Sequence, residues 1–163
     1  RAAQEAVEAD KNPVEALTEL APVIDAIHTK YTDITNENIG IGSTIFAVKP
    51  GDGSAREQAA SCQKVLGGWA NIANEYATKR YRSNLINWGM LPFLIEKGDL
   101  PFTNGDYIFL PDVRKAVEAK ASEFEAYVVK DGSLIPFVLK MGELTDDERE
   151  IILKGCLINY NRQ

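Results

Sequence analysis

The sequence has 163 residues, of which 45% are hydrophobic, as is typical of one domain with a substantial core. Its net charge of −6 argues against nucleic acid as a main partner, because nucleic-acid binding needs clustered Lys and Arg that neutralise phosphates. No apolar run reaches the roughly 18 residues of a membrane span, so no membrane partner is expected.

The first part of the chain is predicted to be helical. Residues 1–12 are rich in Ala and Glu and lack both an initiator Met and an apolar leader, which predicts a linker helix continuing from a longer chain. Asn12 and Pro13 then provide an N-cap and a first-turn proline for a second helix. Apolar residues recur along it at three- and four-residue steps, which predicts one helix with a single buried stripe: Leu17, Leu20, Ile24, Ile27 and Tyr31.

A strand, a glycine-rich turn and a helix are predicted next. After a polar loop, residues 44–48 read Thr-Ile-Phe-Ala-Val and have the β-branched and aromatic character of a buried strand. Residues 49–53 are turn formers that end this strand. A helix is then predicted from Ser54 to about Leu66, where Gly67-Gly68 stops it.

Two interpretations of the start of this helix are open on the local pattern. Ser54 and Glu57 have the spacing of a capping box, in which the serine caps the helix and the glutamate bonds back to it. Alternatively, the turn is a binding site, where unpaired amides and the positive end of the helix dipole meet the Ser54 hydroxyl and the Arg56 guanidinium. Such an arrangement can hold a carboxylate or a phosphate.

Strands and helices alternate through the rest of the chain, which predicts a mixed α/β domain. Asp131-Gly132 between two apolar runs predicts a β-hairpin, and Thr145 predicts the N-cap of a final helix that ends near Cys156. The other predicted elements are a strand within 69–76, a helix at 79–89, an edge or first-position strand at 91–95, a strand at 107–110 and a helix at 112–119.

The cysteines and the histidine are few and lie far apart in the sequence. Cys62 and Cys156 form no C-x-x-C motif, so both are predicted to be buried thiols, and no metal site is predicted in this chain. His28 is the only histidine and falls on the predicted helical stripe, which favours a structural role. We expect a cytoplasmic location for this acidic chain, where two cysteines are more often free thiols than a disulfide.

Residues 51–68 and residues 83–93 form two ordered blocks, and together they resemble the swivelling C-terminal domain of the aconitase superfamily. Residues 51–60, Gly-Asp-Gly-Ser-Ala-Arg-Glu-Gln-Ala-Ala, resemble its G-x-G-S-S-R-E-H-A/S motif, and Leu66-Gly67-Gly68 resembles the L-G-G that follows. Residues 83–93, Ser-Asn-Leu-Ile-Asn-Trp-Gly-Met-Leu-Pro-Phe, resemble its T-N-L-x-x-Q-G-L-L-P-L block. The resemblance implies an α/β fold over residues 1–163, a β/β/α three-layer swivelling domain with an N-terminal helical arm.

The resemblance also implies chemistry. Aconitase-like enzymes remove water from hydroxy-polycarboxylic acids and add it back, and a [4Fe–4S] cluster on their other domains acts as the Lewis acid. By the matching positions, Ser54 would be the general base that takes a proton from carbon, and Arg56 would bind a substrate carboxylate. Gly53 and Ala55 would line the substrate site. This chain alone would then bind no cluster and be inactive, and its partners would be the remaining aconitase-like domains.

The sequence departs from the family pattern at several positions. Ala55, Gln58 and Trp88 replace the family's second serine, its histidine and its glutamine, and no arginine matches its early substrate arginine. The leading interpretation is the C-terminal domain of a longer hydro-lyase. The alternatives are the small subunit of a two-chain dehydratase of the isopropylmalate isomerase type, and a non-catalytic binding module, including an RNA-binding aconitase relative.

Overall fold

Six strands and eight α-helices form from residues 2–162, the part of the chain that this computed structural model describes. The strands are β1 (Ser43–Ala47), β2 (Gly68–Ala73), β3 (Leu91–Leu94), β4 (Tyr107–Phe109), β5 (Glu123–Lys130) and β6 (Ser133–Lys140). The helices are α1 (Ala2–Glu8), α2 (Pro13–Ala16), α3 (Ala21–His28), α4 (Arg56–Val65), α5 (Lys79–Asn87), α6 (Val113–Glu118), α7 (Asp146–Lys154) and α8 (Leu157–Tyr160). The predicted mixed α/β class is therefore confirmed. None of the helices in this part of the chain is long and apolar enough to cross a membrane.

The strands hydrogen-bond in one mixed sheet with the order β1-β2-β3-β6-β5-β4. β1, β2 and β3 are parallel neighbours, and α4 and α5 provide the crossover connections that parallel pairing requires. β6 pairs antiparallel with β3, and β4 pairs antiparallel with β5. Because parallel strands end at one edge of a sheet, the loops that follow β1 and β2 leave from the same edge.

The described residues divide into two compact units. The first comprises the chain up to Gly42, Gly98–Pro111 and Glu125–Val138. Its core is a cluster of side chains from α3, β4 and β5: Ala26, Ile27, Phe109, Tyr127 and Val129. The second comprises Ser43–Lys97, Asp112–Phe124 and the chain from Leu139. It contains the glycine-rich turn that the sequence singled out, and its buried side chains include a separate cluster: Ala60, Tyr81, Leu85 and Met90.

The long helix predicted from Pro13 to Tyr31 is broken. In its place the structure has α2, a 3₁₀ turn at Thr18–Leu20 and α3, although Asn12 caps α2 as predicted. Pro22 in the first turn of α3 explains the break, because proline has no amide hydrogen with which to continue a helix from the preceding turn.

The N-terminal segment forms α1, within the stretch predicted as a linker helix. Its first residue, Arg1, lies outside the described residues.

Two strands differ from their predicted surroundings. β1 lies at the edge of the sheet and Ile45 is 45% exposed, so it is not the buried strand that its apolar residues predicted. β3 lies between β2 and β6, so the edge or first-position strand predicted from Pro92 is also wrong. Pro92 is tolerated because the pairing with β6 involves only Leu94 and Lys140, which leaves the proline outside that ladder.

Turn and cap residues in the C-terminal part act as predicted. Asp131 and Gly132 have φ values of +51° and +75° and join β5 to β6 in a two-residue hairpin turn. Thr145 caps α7 through a complete capping box with Glu148. α7 ends before Gly155, and the short α8, which was not predicted, follows.

Two helix-ending glycines meet in the second unit. Gly89, with a φ of +71°, follows α5, and Gly155, with a φ of +90°, follows α7. A Cβ added to Gly89 would overlap the backbone carbonyl of Gly155. The ends of α5 and α7 therefore approach to backbone contact, which requires glycine at position 89.

Candidate functional site

The turn after β1 brings Ser54 to the start of α4. The helix begins at Arg56, and Ala55 occupies its N-cap position without a side-chain hydrogen bond to the helix. Ser54 is exposed and makes no hydrogen bond to any residue between 2 and 162. The capping box predicted for Ser54 and Glu57 is therefore wrong, and the serine hydroxyl is not used to hold the helix.

Glu57 is held by a distant residue instead. Its Oε1 accepts a hydrogen bond of 3.1 Å from Nε1 of Trp88, the residue that ends α5 and replaces the glutamine of the family pattern. The indole is 31 residues away along the chain and engages the carboxylate that a capping box would have used. The start of α4 is thus tied to the end of α5.

The backbone at the start of α4 is open to a ligand. The amides of Arg56, Glu57 and Gln58 have no intrahelical partner, as in the first turn of every α-helix. Within residues 2–162, no side chain or carbonyl outside the helix accepts from them either. These amides and the positive end of the helix dipole favour an anion beside the Ser54 hydroxyl.

Arg56 is half-buried and fixed through one of its three guanidinium nitrogens. Its Nε donates to the carbonyl oxygen of Gly51 over 3.1 Å. No carboxylate in the described part of the chain pairs with it, so both terminal nitrogens keep their donors for a ligand. A planar guanidinium held in this way can bind a carboxylate through two parallel hydrogen bonds.

The residue that anchors Arg56 can only be glycine. Gly51 has a φ of +99°, and a Cβ there would lie 2.5 Å from Cβ of Tyr81. Both the torsion angle and the space therefore exclude a side chain. Gly53 differs, because a Cβ there would meet nothing within 4 Å. Its backbone is accessible from that side.

The start of α5 is hydrogen-bonded to the Gly51 peptide. Thr78 is the N-cap of α5, and its Oγ1 accepts from the Tyr81 amide over 3.2 Å. The same hydroxyl donates to the Gly51 carbonyl over 3.3 Å. Thr78 was not among the predicted site residues, although a threonine directly before a predicted helix is an N-cap signal.

A buried hydrogen-bond cluster holds Tyr81, whose side chain packs against Gly51. Tyr81 is 2% exposed, and its hydroxyl oxygen accepts from Nε2 of Gln63 and from Nδ2 of Asn71, each over 3.0 Å. The carbonyl oxygens of these two amides are buried and face no donor within the described residues. The cluster joins α4, β2 and α5, and Tyr81 connects it to Gly51 in the candidate site.

Charged side chains follow the ends of the three parallel strands. Lys49 after β1 pairs with Glu75 after β2, and Nζ of Lys97 after β3 lies 3.9 Å from the same carboxylate. The hydrogen bond and the charge of Lys49 lower the pKa of Glu75, and the same contact raises the pKa of Lys49. Two ammonium groups therefore share one carboxylate at this edge of the sheet.

The possible metal ligands do not converge. Among residues 2–162, no group of three His, Cys, Asp or Glu side chains is placed to hold a metal ion. Both cysteines are free thiols, and Cys62 is exposed while Cys156 is half-buried, so the prediction of two buried thiols is wrong. Nε2 of His28 lies 2.6 Å from the carbonyl oxygen of Ile34, which gives the histidine a structural contact.

Comparison with known families agrees with this arrangement. The model of the aconitase C-terminal domain matches residues 4–98, which is more than half of the chain and includes the whole candidate site. The chain therefore belongs to the aconitase C-terminal domain family, whose members are parts of hydratase-type enzymes. No curated protein matches the sequence.

Proposed function

We propose that this chain is the substrate-binding and catalytic-base domain of an aconitase-like hydro-lyase that dehydrates and rehydrates a hydroxy-polycarboxylic acid. The observation that supports it most is the uncapped start of α4, where the exposed Ser54 hydroxyl and the unpaired terminal nitrogens of Arg56 are neighbours in sequence. Neither group is needed to hold the helix, so both are available to a ligand.

Arg56 is proposed to bind one carboxylate of the substrate. Its Nε is already bonded to Gly51, so the guanidinium plane is fixed before the ligand arrives. Less side-chain freedom is then lost on binding, and the two terminal nitrogens match the two oxygens of a carboxylate. This contact would orient the carbon that loses its proton toward Ser54.

Ser54 is proposed to take that proton as the general base. A serine alkoxide is unstable in water and needs nearby donors or positive charge. The unpaired amides at the start of α4, the helix dipole and the Arg56 guanidinium are the groups of this chain that can supply them. The open side of Gly53 leaves backbone accessible to the substrate, and the Ala55 methyl offers it an apolar contact where the family pattern has a second hydroxyl.

The [4Fe–4S] cluster of the family is proposed to belong to other domains of the complete enzyme, where it would act as the Lewis acid. Cluster ligation takes three or four thiolates, and this chain has two cysteines that do not form part of any metal-binding group within residues 2–162. The residues present therefore do not fit a cluster. We propose that the partner domains are in the same chain or on a separate large subunit, in the cytoplasm, and sequencing the complete gene product distinguishes the two.

Steady-state kinetics of the complete protein test the proposal, with a panel of hydroxy-di- and tricarboxylates as substrates. Ser54→Ala is expected to lower kcat by about 10²- to 10⁴-fold with little change in KM, because the hydroxyl acts in the transition state. Arg56→Lys is expected to raise KM by about 10- to 100-fold, because an ammonium cannot reproduce the bidentate contact.

Two variants control for damage to the helices. Ser61→Ala removes another hydroxyl from α4, one that donates to the Gln58 carbonyl, and Arg80→Lys changes an exposed arginine on α5. Both are expected to keep ordinary kinetics. A folded Ser54→Ala protein with ordinary turnover would end the catalytic proposal, and binding of the acids without turnover by the unmutated complete protein would favour a binding module.

A further inference from the structure

We infer that Thr78 is a positioning residue for Arg56, acting through the carbonyl of Gly51. The inference rests on the proposed function of Arg56 and goes beyond it, because Thr78 lies outside the glycine-rich motif and on a different helix. The Gly51 oxygen accepts from Arg56 Nε over 3.1 Å and from Thr78 Oγ1 over 3.3 Å. A carbonyl oxygen has two lone pairs, so these two donors saturate it.

The Gly51 peptide needs such a restraint because glycine has few torsional preferences of its own. Backbone bonds hold the chain on its N-terminal side, from Glu75 to the Val48 carbonyl over 3.1 Å and from Ala77 to the Pro50 carbonyl over 2.9 Å. The Thr78 hydroxyl adds the next bond in this series, one residue further along both loops. It fixes the peptide plane whose oxygen holds the guanidinium.

The hydroxyl of Thr78 both donates and accepts in this arrangement. It has one hydrogen, which it donates to Gly51, and it accepts the amide of Tyr81. The Tyr81 ring lies against Gly51 on the side where a side chain would project. The start of α5 thus holds both the α-carbon and the carbonyl of Gly51, and it sets where Arg56 presents its free nitrogens.

The competing explanation is that Thr78 only caps α5, and the chain offers a matched control for it. Thr145 caps α7 in the same way, with its Oγ1 accepting from the Glu148 amide over 3.2 Å, the same distance as in the Thr78 cap. Among the described hydrogen bonds, those of Thr145 involve Glu148 and neither Gly51 nor Arg56. Thr78→Val and Thr145→Val therefore remove equivalent caps, but only the first removes a bond to the Gly51 carbonyl.

The experiment compares Thr78→Val, Thr78→Ser and Thr145→Val in the complete protein. Thr145→Val is expected to lose the thermal stability of one cap bond, and Thr78→Val at least as much, because it also loses the bond to Gly51. Only Thr78→Val is expected to raise KM, by about two- to tenfold, with a smaller change in kcat. Thr78→Ser, which keeps the hydroxyl, is expected to have the KM of the unmutated protein. Thr78→Val is expected to raise KM by a smaller factor in the Arg56→Lys variant than in the unmutated protein, because both substitutions affect the same contact.

A second measurement does not depend on turnover. In protein labelled with ¹⁵N-arginine, exchange of the Arg56 Nε hydrogen with water is expected to be severalfold faster in Thr78→Val and unchanged in Thr145→Val. Unchanged exchange in Thr78→Val would overturn the inference, as would an unchanged KM while Arg56→Lys raises it. Faster exchange combined with an Arg56→Lys variant of ordinary KM would leave the positioning role intact and refute the proposed function.

Discussion

Replacing Gly51 by alanine tests whether the turn beneath Arg56 requires glycine. The φ of +99° would cost a residue with a side chain about 1–3 kcal/mol of strain. The new Cβ would lie 2.5 Å from Cβ of Tyr81, a buried residue that cannot move aside, and overpacking of this kind costs about 1–3 kcal/mol more. The expected loss in the free energy of unfolding is therefore about 2–6 kcal/mol.

Gly53→Ala is the matched control, because the same methyl group there enters open space and the φ of Gly53 is not positive. For a domain of this size, 1 kcal/mol corresponds to about 2–4 °C in melting temperature. Thermal unfolding followed by circular dichroism should thus show Gly51→Ala melting about 4–24 °C below Gly53→Ala. If the two variants melt within about 2 °C of each other, the geometry assigned to Gly51 is wrong.

Three further predictions concern the surroundings of the site. Because Lys49 lowers the pKa of Glu75 below its ordinary value of 4.5, the pair contributes stability above that pH and loses it as the pH falls through the lowered pKa. In urea unfolding, the stability of Glu75→Gln should therefore fall less steeply with decreasing pH than that of the unmutated protein. The difference is expected to be small, since both side chains of the pair are exposed, and an identical pH dependence in acid would contradict the prediction. Tyr81→Phe should cost about 1–3 kcal/mol in urea unfolding, because two buried amides lose their acceptor; a neutral result would mean that the amides find other partners. A maleimide should label Cys62 faster than Cys156 in the folded protein, and peptide mass spectrometry that finds the reverse order would show that Cys62 is covered.

Elements governed by neighbouring residues could be predicted from the sequence. The Asp131-Gly132 hairpin and the Thr145 capping box depend on contacts within three residues, and the structure has both. The prediction of one long helix through Pro22 was wrong for an equally local reason. It relied on the spacing of the apolar residues, whereas Pro22 ends the preceding turn and begins a new helix. The edge position of β1 depends on strand order, which apolar character does not encode.

The candidate site divides along the same line. Ser54 and Arg56 could be found because they lie together in a motif. The exposed Ser54 hydroxyl and the terminal guanidinium nitrogens of Arg56, which have no partner within the described residues, are consistent with its use as a site. The capping box is absent because α4 begins at Arg56 with Ala55 at its N-cap position, and Glu57 instead accepts a hydrogen bond from Trp88, 31 residues away. Thr78 could be recognised as a cap, but its bond to a carbonyl 27 residues earlier follows from the packing of α5 against the turn, which no local pattern contains.

The contact between Gly89 and Gly155 shows that the family's sequence pattern contains residues required for packing as well as residues proposed for catalysis. Gly89 belongs to the second block of that pattern, yet its requirement is the contact between two helix ends, which holds whether or not the protein turns over a substrate. Ser54 has no such obligation, since its hydroxyl holds nothing in place within the described residues. A relative that has lost its activity is therefore expected to keep glycine at the position of Gly89, while other residues replace the serine at the position of Ser54. The residues at these two positions would together distinguish active enzymes from inactive relatives with the same fold.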